Sequence, residues 1–370
     1  MNDDMNVVFR CDSSLRLGNG HVMRCLTLAE TLRAQGACCR FVCRDAPGSL
    51  HDAVRGRGFG MALLPTQALS DADTDAALTI GAIDAIGAIG AIAASGGPRI
   101  DWLVLDHYAL GARWARRLRP ACRRLLVIDD LADRHHDCDL LLDQNLGRQP
   151  ADYARRVPPT ARLLTGPRHA LLRPAFAQLR PQSLARRAHL KIEHLLISMG
   201  GVDAGNASGQ VLQALQSLPA QAWPGLRRIS VVLGPFAPGL PSVRTLASAL
   251  PWPTTVEVDP PHLAALMADS DLALGACGSS AWERCCLGLP TIALVLADNQ
   301  RAGATALAEA GAVALIEPGD KLAQDLRQAM AALQCPAALQ AMQQAAAAIA
   351  DGNGADRVLA AMLYSQAERP

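Results

Sequence analysis

The sequence predicts an α/β fold of two Rossmann-like doubly wound domains facing across a cleft, and three observations carry that prediction. Short, continuously apolar runs alternate with segments of helical periodicity, as expected of parallel strands covered on both faces. The alternation occurs twice, on either side of an Arg- and Pro-rich stretch from Arg173 to Arg187 that reads as a polar linker. Several apolar runs end in glycine-containing turns, at the carboxyl ends of strands where such sheets bind ligands. A chain of 370 residues suits two domains, which we place at residues 1–180 and 181–370.

Val7 to Phe9 is the first strand. Val22, Cys25, Leu26, Ala29 and Leu32 then recur at helical spacing, with Gly36 as a helix-ending residue. Arg40 to Cys43, Trp102 to Leu105, Leu125 to Ile128 and Leu140 to Leu142 are further strands, with a helix around Trp114 to Leu118. The Gly-Ala-Ile stretch from Thr79 to Gly97 reads as a helix or an expanded connection. In the second series the strands are Leu195 to Ser198, Ile229 to Leu233, Thr255 to Val258, Leu272 to Leu274, Thr291 to Val295 and Val313 to Ile316. An Ala- and Gln-rich helical tail follows from Leu322 to Leu363.

Composition excludes several classes. Half the residues are hydrophobic, and 35 basic residues nearly cancel 34 acidic ones, which argues against disorder and against a dedicated nucleic-acid binder. Eleven cysteines without a C-x-x-C pair suggest free thiols in a reducing cytoplasm. The acidic start gives no sign of a secretory leader. The longest apolar stretch, Ile80 to Ala94, holds Asp84 and three glycines and falls short of the roughly 18–20 residues that span a bilayer.

Four strand ends carry chemistry-bearing residues. In FRCDSSLRLGNGHVMR, Gly18 and Gly20 allow a tight turn and His21 opens a helix, whose positive end disfavours an imidazolium and so suits a general base. The alternative is an ordinary glycine turn with His21 packing or capping. VLDHYAL places Asp106, His107 and Tyr108 at a sheet edge, where the tyrosine could meet a sugar or the acid could cap a helix. ISMGGVDAGN ends a strand at Gly200 and Gly201, and the N–H groups of the following helix could receive an anion. LALGACGSSAWERCCLGLPTIALVLADNQ offers Gly275, Gly278, Ser279 and Ser280 at a helix start. Glu283 follows one turn later, as a ribose contact or as the partner of Ser280 in a capping box. Asn299 lies after the next strand. His135, His136, Asp137 and Asp139 look metal-like, but adjacent histidines cannot both face one ion from a regular element. Cys285 and Cys286 read as core.

In their order along the chain, these segments and the D-D…H-H-x-C-D run from Asp129 to Asp139 resemble one family. It is the UDP-2,4-diacetamido-2,4,6-trideoxy-β-L-altropyranose hydrolases of pseudaminic acid biosynthesis. The resemblance spans residues 7 to about 315. It implies a glycosyltransferase-B-like architecture related to MurG, and hydrolysis in place of transfer, in the bacterial cytoplasm on the route to flagellin glycosylation. The family's water-activating histidine maps to His21. Its substrate-lining residues map to Tyr108, Asn206, Glu283 and Asn299, and Arg173 of A-L-L-R is a further substrate contact. Gly18, Gly20, Gly200, Gly201, Ser279 and Ser280 complete the expected site. No metal or cofactor is expected. The partner is a small-molecule UDP-sugar, with no nucleic acid or membrane, and the chain acts as a monomer. A MurG-like transferase, a nucleotide-sugar epimerase and a catalytically silent nucleotide-sugar binder are the competing readings.

Overall fold

The computed structural model describes residues 5–66, 71–86, 100–218 and 223–367. The latter part of the Gly-Ala-Ile stretch, from residue 87, lies outside them, and its beginning belongs to a helix. The chain divides into two compact units, Met1–Leu171 with Gly354–Pro370, and Leu172–Asn353.

The first unit contains β1 (Asn6–Cys11), α1 (Gly20–Arg33), β2 (Cys38–Arg44), α2 (His51–Gly56), β3 (Gly60–Leu64), α3 (Ala72–Ala85), β4 (Ile100–Asp106), α4 (Ala112–Leu118), β5 (Cys122–Ile128), β6 (Leu140–Asp143) and β7 (Arg162–Thr165). All seven strands are parallel, in the order β3-β2-β1-β4-β5-β6-β7. The second unit contains α5 (Pro174–Arg186), β8 (His194–Ser198), α6 (Ala207–Gln216), β9 (Arg228–Leu233), α7 (Leu240–Ser248), β10 (Thr254–Val258), α8 (Leu263–Asp269), β11 (Leu272–Ala276), α9 (Ser280–Cys286), β12 (Thr291–Leu294), α10 (Arg301–Glu309), β13 (Val313–Ile316), α11 (Leu322–Leu333) and α12 (Pro336–Ile349). Its six parallel strands run β10-β9-β8-β11-β12-β13. A last helix, α13 (Gly354–Ala367), returns to the first unit. Both sheets reverse direction of growth beside their first strand, next to β4 and to β11, which is the switch point where ligands collect in open α/β sheets.

The strands form because their residues are apolar on both faces. In β1, Val7, Phe9 and Cys11 join the core shared with α1 and α13, while Val8 joins the opposite core with α3 and α4. Phe9 sits opposite Phe41 of β2 and stacks on it, ring centroids 4.9 Å apart. Cys285 and Cys286 are buried, as expected of core residues.

Two expectations about organisation are corrected. The Arg173–Arg187 stretch is not a linker: Pro174 opens α5 at a first-turn position that needs no N–H. Helix α5 packs on α8 and α9, so the division falls at 171/172 and not at 180/181. The tail is three helices, and the last belongs to the first unit, because Val358, Leu359 and Met362 complete the α1 core. Gly354 makes that return possible, since a Cβ there would stand 2.1 Å from the Ala170 carbonyl. Among the described residues, no helix is long and apolar enough to cross a membrane.

Candidate active site

The turn between β1 and α1 is built as the glycines suggest. Gly18 has φ 76°, a conformation open to glycine, and its N–H donates to the Ser14 carbonyl at 2.8 Å. The Ser14 hydroxyl accepts from the N–H groups of Arg16 and Leu17. Asn19 precedes α1 without capping it, and its buried Oδ1 has no hydrogen-bond partner among the described residues. Gly20 is the first residue of α1 and His21 the second.

His21 is buried, and its Nδ1 lies 2.6 Å from Oδ1 of Asp106, the last residue of β4. A carboxylate only accepts, so in the neutral ring the imidazole proton sits on Nδ1 and Nε2 carries the lone pair. Nε2 has no partner among the described residues. Arg24, one turn further along α1, donates Nε to Asp106 Oδ2 and Nη2 to Oδ1, both at 2.6 Å. It also reaches Asp130, with Nη1 at 2.8 Å and Nη2 at 2.9 Å. Burial alone would raise the Asp106 pKa, but the charge of Arg24 and the hydrogen bonds from Arg24 and His21 hold it well below the usual carboxylate range. The Tyr108 ring meets the imidazole edge-on at 4.5 Å, and its hydroxyl donates to Asp130 Oδ2 at 3.1 Å. Gly18, Gly20, His21 and Tyr108 thus come together at the switch point of the first sheet.

The neighbouring histidine behaves differently. His107 Nδ1 accepts the Ala109 N–H at 3.0 Å, and Nε2 faces Asp12 at 3.2 Å. Both nitrogens are engaged, which leaves no lone pair for a reacting proton. The metal-like run does not converge on one point. Asp137 and Asp139 pair with Arg119, and the buried His136 points Nε2 toward Asp129 at 3.7 Å. A cavity of about 800 Å³ in the first unit is lined by Arg124, Arg162, Arg168, Arg357 and Tyr364 among others, and shares no residue with the His21 cluster.

In the second unit the expected residues divide. Gly200 has φ 98°, and Gly201 is crossed by the β9 loop, since a Cβ on Gly234 would lie 1.8 Å from the Gly201 carbonyl oxygen. The expectation that α6 offers its N–H groups to an anion is overturned. Asp203 accepts from the N–H groups of Ala207 and Ser208, and Asn206 Oδ1 from that of Gly209, so the first turn is filled by side chains, one of them negative. Asn206 itself is the cap, with φ 51°, wedged against Gly209 and Gly239. The capping box that was the alternative for Ser280 and Glu283 does not form. Ser279 precedes α9 without a side-chain cap, and the Ser280 hydroxyl accepts from Arg284 Nη1 at 3.2 Å.

Glu283 faces Arg173 at 3.5 Å, so two expected residues meet. Burial raises the Glu283 pKa, and Arg173 and Arg284 oppose the rise. Arg284 is fully buried, gives Nη2 to the Ala276 carbonyl at 2.6 Å, and passes so close to Gly275 that a Cβ there would stand 2.7 Å from it. Asn299 lies exposed in a short 3₁₀ turn after β12. Arg24, Asp130, Asn19 and Arg284 were missed in the sequence; the spacing of three that puts Arg24 on the face of His21 was the available signal.

No family model matches the chain. It is 27% identical over 308 residues, 83% of its length and 97% of the relative's, to the UDP-2,4-diacetamido-2,4,6-trideoxy-β-L-altropyranose hydrolase of Campylobacter jejuni. Among solved structures, MurG of Acinetobacter baumannii matches with a TM-score of 0.65 at 16% identity, covering 97% of this chain and 99% of that one. The UDP-GlcNAc 2-epimerase of Neisseria meningitidis, solved bound to UDP-GlcNAc, matches with a TM-score of 0.62 at 12% identity, covering 97% of this chain and all of the other. The chain is therefore a sequence relative of the altropyranose hydrolase, built as two Rossmann-like domains of the MurG-like glycosyltransferase-B type.

Proposed function

We propose that this protein is an enzyme that hydrolyses a UDP-linked 2,4-diacetamido-2,4,6-trideoxyhexose to UDP and the free sugar, a step of pseudaminic acid biosynthesis. The observation that carries the reading is the His21–Asp106 contact at 2.6 Å, which leaves an imidazole lone pair at the switch point of the first sheet. His21 Nε2 takes a proton from water. The water oxygen bonds to the anomeric carbon from the face opposite the nucleotide. The bond from that carbon to the phosphate oxygen breaks, and its electron pair leaves with UDP, so the configuration inverts. Tyr108, Gly18 and Gly20 line the sugar. The uridine diphosphate is the ligand of the second unit, where Ser279, Ser280, Glu283, Arg173, Asn299, Gly200 and Gly201 are its contacts. Asn206 acts there through the loop it caps, a smaller role than direct contact. UDP is a stable leaving group, so the reading needs no general acid.

The relatives of the same fold make transfer to an acceptor hydroxyl and 2-epimerisation the competing activities. Incubation with the UDP-sugar alone in ¹⁸O-water separates them. Hydrolysis releases UDP and a sugar labelled at the anomeric oxygen. Transfer gives no release without an acceptor, and epimerisation gives a new UDP-sugar. His21→Asn is expected to lower kcat about 10²- to 10⁴-fold, the usual contribution of a general base, with UDP affinity by calorimetry unchanged. Wild-type turnover in this variant would remove His21 from the reaction.

A further inference from the structure

The mechanism above leaves Arg24 without a task, yet its buried guanidinium gives four hydrogen bonds to two carboxylates. Asp106 ends β4, Asp130 follows β5, and Arg24 stands on α1 beside His21, so one planar fork ties together the three elements that frame the imidazole. Asp130 also accepts the Tyr108 hydroxyl, and the Tyr108 ring packs against His21. His21, Asp106, Arg24, Asp130 and Tyr108 form a closed circuit of five contacts in which Arg24 joins the two carboxylates.

Charge decides what the circuit does. A lone buried carboxylate beside an imidazole draws a second proton onto it, and an imidazolium cannot take a proton from water. A guanidinium on the same carboxylate opposes this, while Oδ1 still accepts from Nδ1–H and fixes the tautomer. Asp130 tempers the positive charge from its far side. Against the imidazole and the Asp106 carboxylate stand the uncharged Tyr108 ring and the Cys25 thiol, which donates to Asp106 Oδ2 at 3.6 Å and is kept protonated chiefly by burial. Beyond Asp130, Arg148 Nη2 donates to its carbonyl at 3.1 Å, and Asp143 lies close enough to feel its charge. The start of α1 adds a positive dipole end.

We propose that Arg24 is a positioning residue: it locks the Asp106 carboxylate, biases His21 toward the neutral Nδ1–H form, and through Asp130 holds the Tyr108 hydroxyl. The purpose of that neutral imidazole rests on the hydrolase reading; the arrangement does not. Nitrogen-15 NMR of histidine-labelled free protein tests it without substrate. Arg24→Gln is expected to move the His21 titration midpoint up, and Asp130→Asn to move it down, each by about one pH unit, the scale of a neighbouring charge. A merely structural role would lower stability without opposite shifts. In turnover, Arg24→Gln lowers kcat with little change in KM and recovers as pH rises, while Arg24→Lys restores the midpoint and only part of kcat, because an ammonium lacks the fork. If Arg24→Gln fails to fold, the half-buried Asp130→Asn decides alone. An unmoved midpoint overturns the proposal. Failure of the hydrolase reading shows separately, as no UDP release by wild type while the NMR shifts persist.

Discussion

His21 shows how far one residue's chemistry depends on partners remote in sequence. The G-N-G-H turn is local and legible, but Asp106 is 85 residues away and the Arg24–Asp130 pair spans 106, so no local spacing announces them. The same carboxylates set an acid response. Asp106, Asp12 and Asp129 are buried, which would raise their pKa values, but Arg24 and His21, His107 and Arg10, and His136 and Arg134 respectively hold them below the ordinary range. Each therefore stabilises the fold above its unfolded value of about 4, and that stabilisation is lost as pH falls through the lower folded value. Urea titrations from pH 7 to 3 should show stability falling below about pH 4, by up to about 1.4 kcal/mol per pH unit for each carboxylate. Asp106→Asn should cost about 3 kcal/mol at pH 7 and flatten the acid slope by one proton. An unchanged slope would contradict the assignment. Gly275 gives a second expectation at this scale. Gly275→Ala forces a Cβ against the Arg284 guanidinium and the Ser198 carbonyl, and should destabilise by about 1–3 kcal/mol in urea unfolding.

Among the elements, the central strands were legible because each is a continuous apolar run. β3 and β7 were not: they are edge strands of five and four residues, partly exposed, with too few buried positions to make a pattern. Helix α5 was hidden by composition, since arginine and proline together suggest a solvated linker. Its arginines are instead engaged, Arg180 with the Cys286, Ala347 and Ala350 carbonyls and Arg186 with the Asp271 carboxylate, and the residue that ends the helix is engaged too. Arg187 is buried and gives its N–H groups to Met267, Ala268 and Ser270 at the end of α8 and to Ser183, while burial pulls its pKa down to about 10. Removing it orphans the last carbonyls of α8. Arg187→Ala is expected to destabilise the second unit by about 2–4 kcal/mol, read as lost hydrogen-exchange protection in α8 and β8 peptides. Protection equal to wild type would mean that water replaces the guanidinium.

At the scale of the whole chain, α13 crosses back to complete the first unit's core, with Ala355, Val358, Leu359 and Met362 beside Val22, Leu26 and Ala29. Gly354→Val, which sets a branched side chain against the Ala170 carbonyl, is expected to lower exchange protection in β1 and α1 while β8 and α6 keep theirs; equal loss in both would refute the assignment of α13. The sequence by itself determined the two doubly wound series, the placing of His21, Tyr108 and Glu283 in segments that follow strands, and the likeness to the altropyranose hydrolase, because apolar runs, turn glycines and ordered motifs are local properties. Only the tertiary structure decided which unit the last helix completes, that the start of α6 is filled by Asp203 and Asn206, and that His21 answers to Asp106 and Arg24. An apolar helix face fits more than one core, and hydrogen-bond partners are chosen by which strand ends the sheet order brings side by side.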